Sequence, residues 1–123
     1  MSSRKIKIWG RELELNIVME CYPGEEILKE QQEILEWLLS SNMLDSALES
    51  LNVYVKKTAT IDITIPIDNI YRYVMPKTIF VPHKKTNPTI AILCNYKYDM
   101  EHGIAIVFEN GCFKDIGTKD IIL

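Results

Sequence analysis

The densest group of chemically capable side chains is the run Cys94-Asn95-Tyr96-Lys97-Tyr98-Asp99-Met100-Glu101-His102-Gly103. Asp99, Glu101 and His102 offer carboxylate oxygens and an imidazole, a donor set suited to a divalent metal, with Cys94 as a more distant thiolate ligand. The same residues suit acid–base chemistry, with Glu101 orienting the base His102, or nucleophilic chemistry, with Cys94 as a thiol served by His102. Strand geometry stands against each. Neighbours in a regular strand point to opposite faces, so Glu101 and His102 converge only if a turn brings them round. No Gly-x-Ser-x-Gly elbow or comparable local frame accompanies them. The expectation is therefore a structural corner, in which Asp99 accepts from turn amides, Gly103 supplies a permissive backbone angle, and Glu101 and His102 tie neighbouring backbone. No catalytic, cofactor-binding or metal-binding residue is assigned. Asp99, Glu101, His102 and Cys94 remain the candidates of an alternative, a small hydrolase or metal-dependent enzyme.

Other groups point less clearly to chemistry. His83 lies among Pro82, Lys84 and Lys85 and reads as a solvent-exposed loop residue. Tyr71, Tyr73, Phe80, Tyr96 and Tyr98 could form a stacking surface, but alternation within Tyr71/Tyr73 and Tyr96/Tyr98 is the ordinary pattern of half-buried strand packing. No Gly-rich phosphate loop, paired-histidine motif or calcium loop is present.

These residues must be positioned by secondary structure, and hydrophobic periodicity suggests which. Ile6 and Ile8, then Leu13, Leu15, Ile17 and Met19, alternate with polar residues on either side of Gly10-Arg11, a β-hairpin pattern. Pro23-Gly24 stops the second strand. Ile27, Gln31, Ile34, Leu35 and Leu38 recur at helical spacing, predicting an amphipathic helix from Glu25 to about Ser40 with Glu26, Glu30, Glu33 and Glu36 turned outward. After a break at Ser40-Ser41-Asn42, the positions of Leu44, Ala47, Leu48, Leu51 and Val55 predict a second helix, antiparallel to the first. Thr60 to Ile65 alternates like a strand interrupted by Pro66. Thr78 to Val81, bracketed by Pro76 and Pro82, is a short candidate edge strand through which two copies could pair as a homodimer. Thr89 to Tyr96, Ile104 to Phe108 and Cys112 to Ile116 form a three-stranded meander closed by the turn Asn110-Gly111, and the apolar Ile121-Ile122-Leu123 should pack onto the domain. The expected fold is α+β: an antiparallel sheet, made of the N-terminal hairpin plus the C-terminal meander, packed against a two-helix hairpin.

Composition sets the outer bounds. A chain of 123 residues, 47% hydrophobic and 25% charged, fits one domain spanning 1–123 that buries its own core. No apolar run approaches the roughly 20 residues a membrane-spanning helix needs, and Met1 to Lys5 leads into a strand pattern rather than a signal-peptide core, so a cytoplasmic protein without a membrane partner is expected. Cys21, Cys94 and Cys112 lack Cys-x-x-Cys spacing and read as buried thiols. The net charge of −3 speaks against nucleic acid as a partner. Charge is unevenly spread: six acids against Lys29 between Glu20 and Glu36, and seven bases against Asp62 and Asp68 between Lys56 and Lys97. Opposite-sign faces follow, although charged surfaces of this kind commonly do no more than solvate a helix or loop.

The segment from Ile92 to Phe108, with Asp99-Met100-Glu101-His102-Gly103 at its centre and a hairpin after it, resembles a family of small bacterial domains of unknown function. The likeness covers about the last quarter of the chain. It implies a bacterial cytosolic protein, and similar small acidic domains are suspected as immunity proteins or partner-binding proteins of toxin systems; it implies no activity. The expected function is a non-enzymatic protein-binding module, an immunity-type partner of a toxin being one form, that uses Glu26, Glu30 and Glu33 to meet a basic protein partner.

Overall fold

The computed structural model describes residues 2–61, 63 and 67–123. Strands β1 (Ser2–Ile8) and β2 (Arg11–Met19) form the expected hairpin. Its turn residues Trp9 and Gly10 both adopt left-handed backbone angles, φ 48° and 83°, the conformation whose twist matches that of paired strands. A tryptophan is uncommon there. It is held by its indole Nε1, which donates to the Leu44 carbonyl at 2.7 Å, and by its tilt against Tyr71, with ring centroids 5.9 Å apart.

A crossover follows, carrying helices α1 (Lys29–Ser40), α2 (Met43–Ser46) and α3 (Leu48–Thr58). Strand β3 (Val74–Val81) then runs parallel to β2. Strands β4 (Thr89–Tyr96), β5 (Ile104–Glu109) and β6 (Cys112–Gly117) continue antiparallel, so among the described residues the sheet has six strands in chain order. Asn110 and Gly111 form the β5–β6 turn, both at positive φ.

The helices cover one face of the sheet. Ile34, Leu35 and Leu38 from α1 and Leu51 and Val55 from α3 are buried against Leu15, Ile17, Ile79, Ile90, Ile92, Ile106 and Phe108. Each such side chain contributes about 1.5–3 kcal/mol by leaving water. The opposite face has a smaller apolar cluster, Ala91, Ala105 and Val107, onto which Ile122 packs. The C-terminal anchoring expected from the sequence is thus partly met, since Ile121 and Leu123 stay exposed. Among the described residues no helix is long and apolar enough to cross a membrane.

Several expectations need correcting. The sheet is mixed, because β2 and β3 are parallel neighbours. Thr78 to Val81 is no edge: it belongs to the longer β3, paired on both sides, and the register shifts between Pro76 and Thr78. A bulge is where an interior strand tolerates a proline, which has no N–H to give the ladder. A homodimer through that segment has no free edge to use. Helix α1 begins at Lys29, leaving Glu25 and Glu26 in the preceding loop. Cys21 and Cys112 are exposed and only Cys94 is buried. Of the expected strand over Thr60 to Ile65, residues 62, 64 and 65 lie outside those described, and Thr60, Ile61 and Ile63 are not in a strand.

The start of α1 is fixed by Gln31, a polar side chain 1% exposed. Its Oε1 accepts from the Leu28 amide at 2.8 Å, the return half of a helix-capping box. Its Nε2 donates to the carbonyls of Glu20 (2.9 Å) and Val81 (3.0 Å), at the ends of the two parallel strands. Replacing it leaves the part-buried Leu28 amide and Glu20 carbonyl without this partner and the Val81 carbonyl with the Glu20 amide alone. Gln31→Ala is expected to cost about 3 kcal/mol in denaturant unfolding, against a change within about 0.5 kcal/mol for the exposed neighbour Gln32→Ala. Equal effects would remove Gln31 from this role.

Candidate functional site

The corner between β4 and β5 is built as a tight turn. The Asp99 amide donates to the Tyr96 carbonyl (3.2 Å), and Gly103 donates to the Asp99 carbonyl (2.9 Å). Gly103 has φ +62°, and a Cβ there would lie 2.6 Å from the Cys94 carbonyl oxygen, so both backbone angle and space demand glycine. Asp99 Oδ1 accepts from the His102 amide at 3.1 Å, and His102 Nδ1 lies 3.1 and 3.2 Å from the two carboxylate oxygens. A hydrogen bond from the His102 amide, and then one from its ring, hold the Asp99 carboxyl below the usual aspartate range. The same side-chain bond and the charge of Asp99, with a smaller contribution from Glu101, raise the His102 imidazole.

Asp99 and His102 thus form a carboxylate–imidazole couple with Nε2 turned to solvent. The His102 side chain is 57% exposed. Glu101 stays on the exposed turn without joining the couple. Cys94 points the other way, fully buried on the helix side of the sheet, and burial pushes its thiol far above the ordinary range. A thiolate served by His102 is therefore not assembled. Among the described residues no three His, Cys, Asp or Glu side chains converge as metal ligands.

The sequence reading missed a second polar junction, at the other end of the sheet. Glu20 Oε1 accepts from the His83 amide (3.1 Å), His83 Nε2 lies 3.1 Å from the Glu26 carbonyl oxygen, and His83 Nδ1 lies 3.6 Å from Glu25 Oε2. Tyr22 packs edge-on against the imidazole. With its side chain 11% exposed, His83 is a clasp between the loop before α1 and the end of β3 rather than a solvated loop residue. Gln31 joins the same junction. Its inward helical position was visible in the sequence, but its partners were not.

The acidic candidates lie along this loop and α1. Glu26 is exposed in the loop, Glu30 is half-buried in the first helical turn, and Glu33 is exposed and 3.8 Å from Lys29. Glu36 pairs with Arg4 of β1 at 3.1 Å. Ile27 has 44% of its surface exposed. With Lys29, Gln32, Glu33 and Glu36 it lines a shallow groove of about 500 Å³, and with Glu25, Glu26 and Lys85 it borders another.

The model of one protein family, described as Domain of unknown function (DUF6985), matches residues 2–123. No curated protein and no solved structure matches the chain.

The Asp99–His102 couple predicts a definite pH response. His102 is raised above the ordinary value of about 6.5, so its stabilising contribution is complete below that pH and fades as pH rises through the raised value. Asp99 is lowered below about 3.9, so its contribution holds above that pH and is lost as pH falls through the lowered value. An NMR titration should place the His102 midpoint above 6.5 and bring it down in Asp99→Asn. A midpoint indifferent to that substitution would remove Asp99 as the cause.

Proposed function

The chain belongs to the DUF6985 family, and for this member we propose a non-enzymatic protein-binding role in which the face bearing Glu26, Glu30 and Glu33 receives a basic partner. The observation that carries the reading is Ile27, a large apolar side chain 44% exposed among carboxylates. Apolar area at the centre of a charged patch is the arrangement in which carboxylates steer the encounter and the apolar contact slows dissociation. Lys29 and Arg4 offset part of the charge, at Glu33 and Glu36, and exposed pairs of this kind are weak enough to yield to a partner's lysines and arginines. An immunity-type role in a bacterial cytosol is one form of this reading: a small acidic domain covering a basic toxin surface.

The alternative, a hydrolase or metal-dependent enzyme using Asp99, Glu101 and His102, draws on the carboxylate–imidazole couple. A substrate would need a concave surface beside Nε2 to be held in reach of it. Metal analysis of protein purified without chelator, with His102→Ala as control, separates the two readings. Bound metal lost in the variant would support the enzyme.

For the binding role, the chain and its triple charge reversal Glu26→Lys, Glu30→Lys, Glu33→Lys are to be immobilised and exposed to native lysate at low and physiological salt. A basic protein should be retained by the unaltered chain, more strongly at low salt, and lost from the reversal. Recovery of no protein at either salt, or equal recovery by both chains, would sink the proposal.

A further inference from the structure

Among the described residues the sheet has two edges, β1 and β6. Along β1 the direction of the backbone groups follows from its turn. With a two-residue loop, Ile8 and Arg11 make a hydrogen-bonded pair, so Ile8, Ile6 and Arg4 direct their amides and carbonyls to β2. Lys7, Lys5 and Ser3 direct theirs away from the sheet. Among the described residues no loop or turn backbone bonds to those outward groups.

Beside this edge runs a groove of about 340 Å³ with mixed walls: Leu39 and Leu44 with Asn42 and Asp45 on the helix side, and Ile6 between Arg4 and the two lysines on the strand side. At one end Arg4 and Glu36 form an exposed pair at 3.1 Å, and at the other the indole of Trp9 holds the Leu44 carbonyl. We propose that β1 is a strand-addition site for an extended acidic segment of a partner protein, with alternate apolar side chains seated in the groove and acidic ones beside Lys5 and Lys7.

The pattern follows from strand geometry. A chain added to β1 hydrogen-bonds to Ser3, Lys5 and Lys7, and its successive side chains alternate between the two sheet faces. On the helix side they meet Ile6, Leu39 and Leu44. On the other side their nearest neighbours are Lys5 and Lys7, with Glu12 and Glu14 one strand further in. Asp45 is the acid on the groove wall, and Glu14 and Glu12 stand opposite Lys5 and Lys7 on the β2 side, so at the outermost strand the lysines are the charges an added chain meets first. Edge lysines also guard against unwanted pairing, and here they discriminate among partners. A second copy of β1 would set Arg4, Lys5 and Lys7 against themselves, a costly arrangement that an acidic strand reverses. This surface is separate from Glu26, Glu30 and Glu33, so its failure would leave the binding role proposed for them standing.

A displayed library of random decapeptides panned against the full chain is expected to enrich sequences that alternate apolar and acidic residues. In NMR spectra an enriched peptide should shift the amides of Ser3, Lys5 and Lys7 more than those of Arg4 and Ile6. Lys5→Pro removes an outward N–H without touching a β1–β2 bond. It should weaken the peptide at least about 10-fold with Tm nearly unchanged, whereas Lys5→Ala, which keeps the N–H, should weaken it about 3-fold or less. If Lys5→Pro does not fold, Lys7→Pro makes the same test at the next outward position. The inference is overturned by a library that enriches nothing, by peptides without alternation, by a proline variant that binds as well as the unaltered chain, or by light scattering that shows β1 paired with a second copy.

Discussion

The architecture hangs on one buried amide. The N-terminal hairpin and the C-terminal meander are joined within the sheet only through β2 and β3, whose register runs from Asn16 opposite Thr78 to Met19 opposite Val81. That ladder is short, and parallel pairing is slightly weaker per residue than antiparallel. Gln31 reinforces it where it ends: it occupies the Glu20 and Val81 carbonyls and accepts from Leu28, so two strand ends and a helix start share one side chain. In a low-dielectric interior such groups are costly if left unpaired, and the Glu20 amide adds a second bond to the Val81 carbonyl. The His83 clasp adds a second connection between the same loop and the end of β3. Helix α1 leaves this junction in a fixed direction, and its far end supplies Leu38 and Leu39 to the groove beside β1.

Local chemistry made much of the fold legible in the sequence. The Asn110-Gly111 turn, the alternation in β2 and the spacing of Ile34, Leu35 and Leu38 each report a periodicity that the structure keeps. What failed was long-range. Nothing local says that β3 lies beside β2, and Pro76 argued for a short peripheral strand because a proline inside a sheet is costly unless a bulge accommodates it. Glu25 and Glu26 looked like the first turn of a helix, but the Cys21–Leu28 segment is committed to the junction, with the Cys21 thiol donating to the Glu25 carbonyl at 2.9 Å. His83 among lysines gave no hint of its two acceptors, since both come from a loop more than fifty residues earlier in the chain.

The candidate site followed the same division. That Asp99 begins a turn and Gly103 completes it was readable from residue type, and the close approach of Gly103 to the Cys94 carbonyl explains why the turn needs glycine. The Asp99–His102 bond could only be seen in three dimensions. It has the form of a base with its orienting carboxylate, but the chemistry of such a pair depends on a substrate held against Nε2 with water excluded. The nearest thiol is on the wrong side of the sheet. The couple also bonds the backbone of the 99–103 turn through the His102 amide, and the Lys119 amide docks on the His102 carbonyl, carrying the C-terminal segment back onto β5.

Recognition falls to surfaces whose shape is set by these fixed points, and Trp9 shows how closely the two are linked. Left-handed backbone angles are disfavoured for a bulky residue, so keeping tryptophan in the β1–β2 turn needs compensation elsewhere. That compensation comes from the Leu44 carbonyl in α2 and from the Tyr71 ring just before β3. Arg4 and Glu36 add only a weak exposed pair near the base of the hairpin. An edge strand held at its turn against a helix resists twisting away from the groove there. The same contacts that stabilise an unusual turn thus pre-organise the edge, lowering the ordering cost that an incoming strand would otherwise meet.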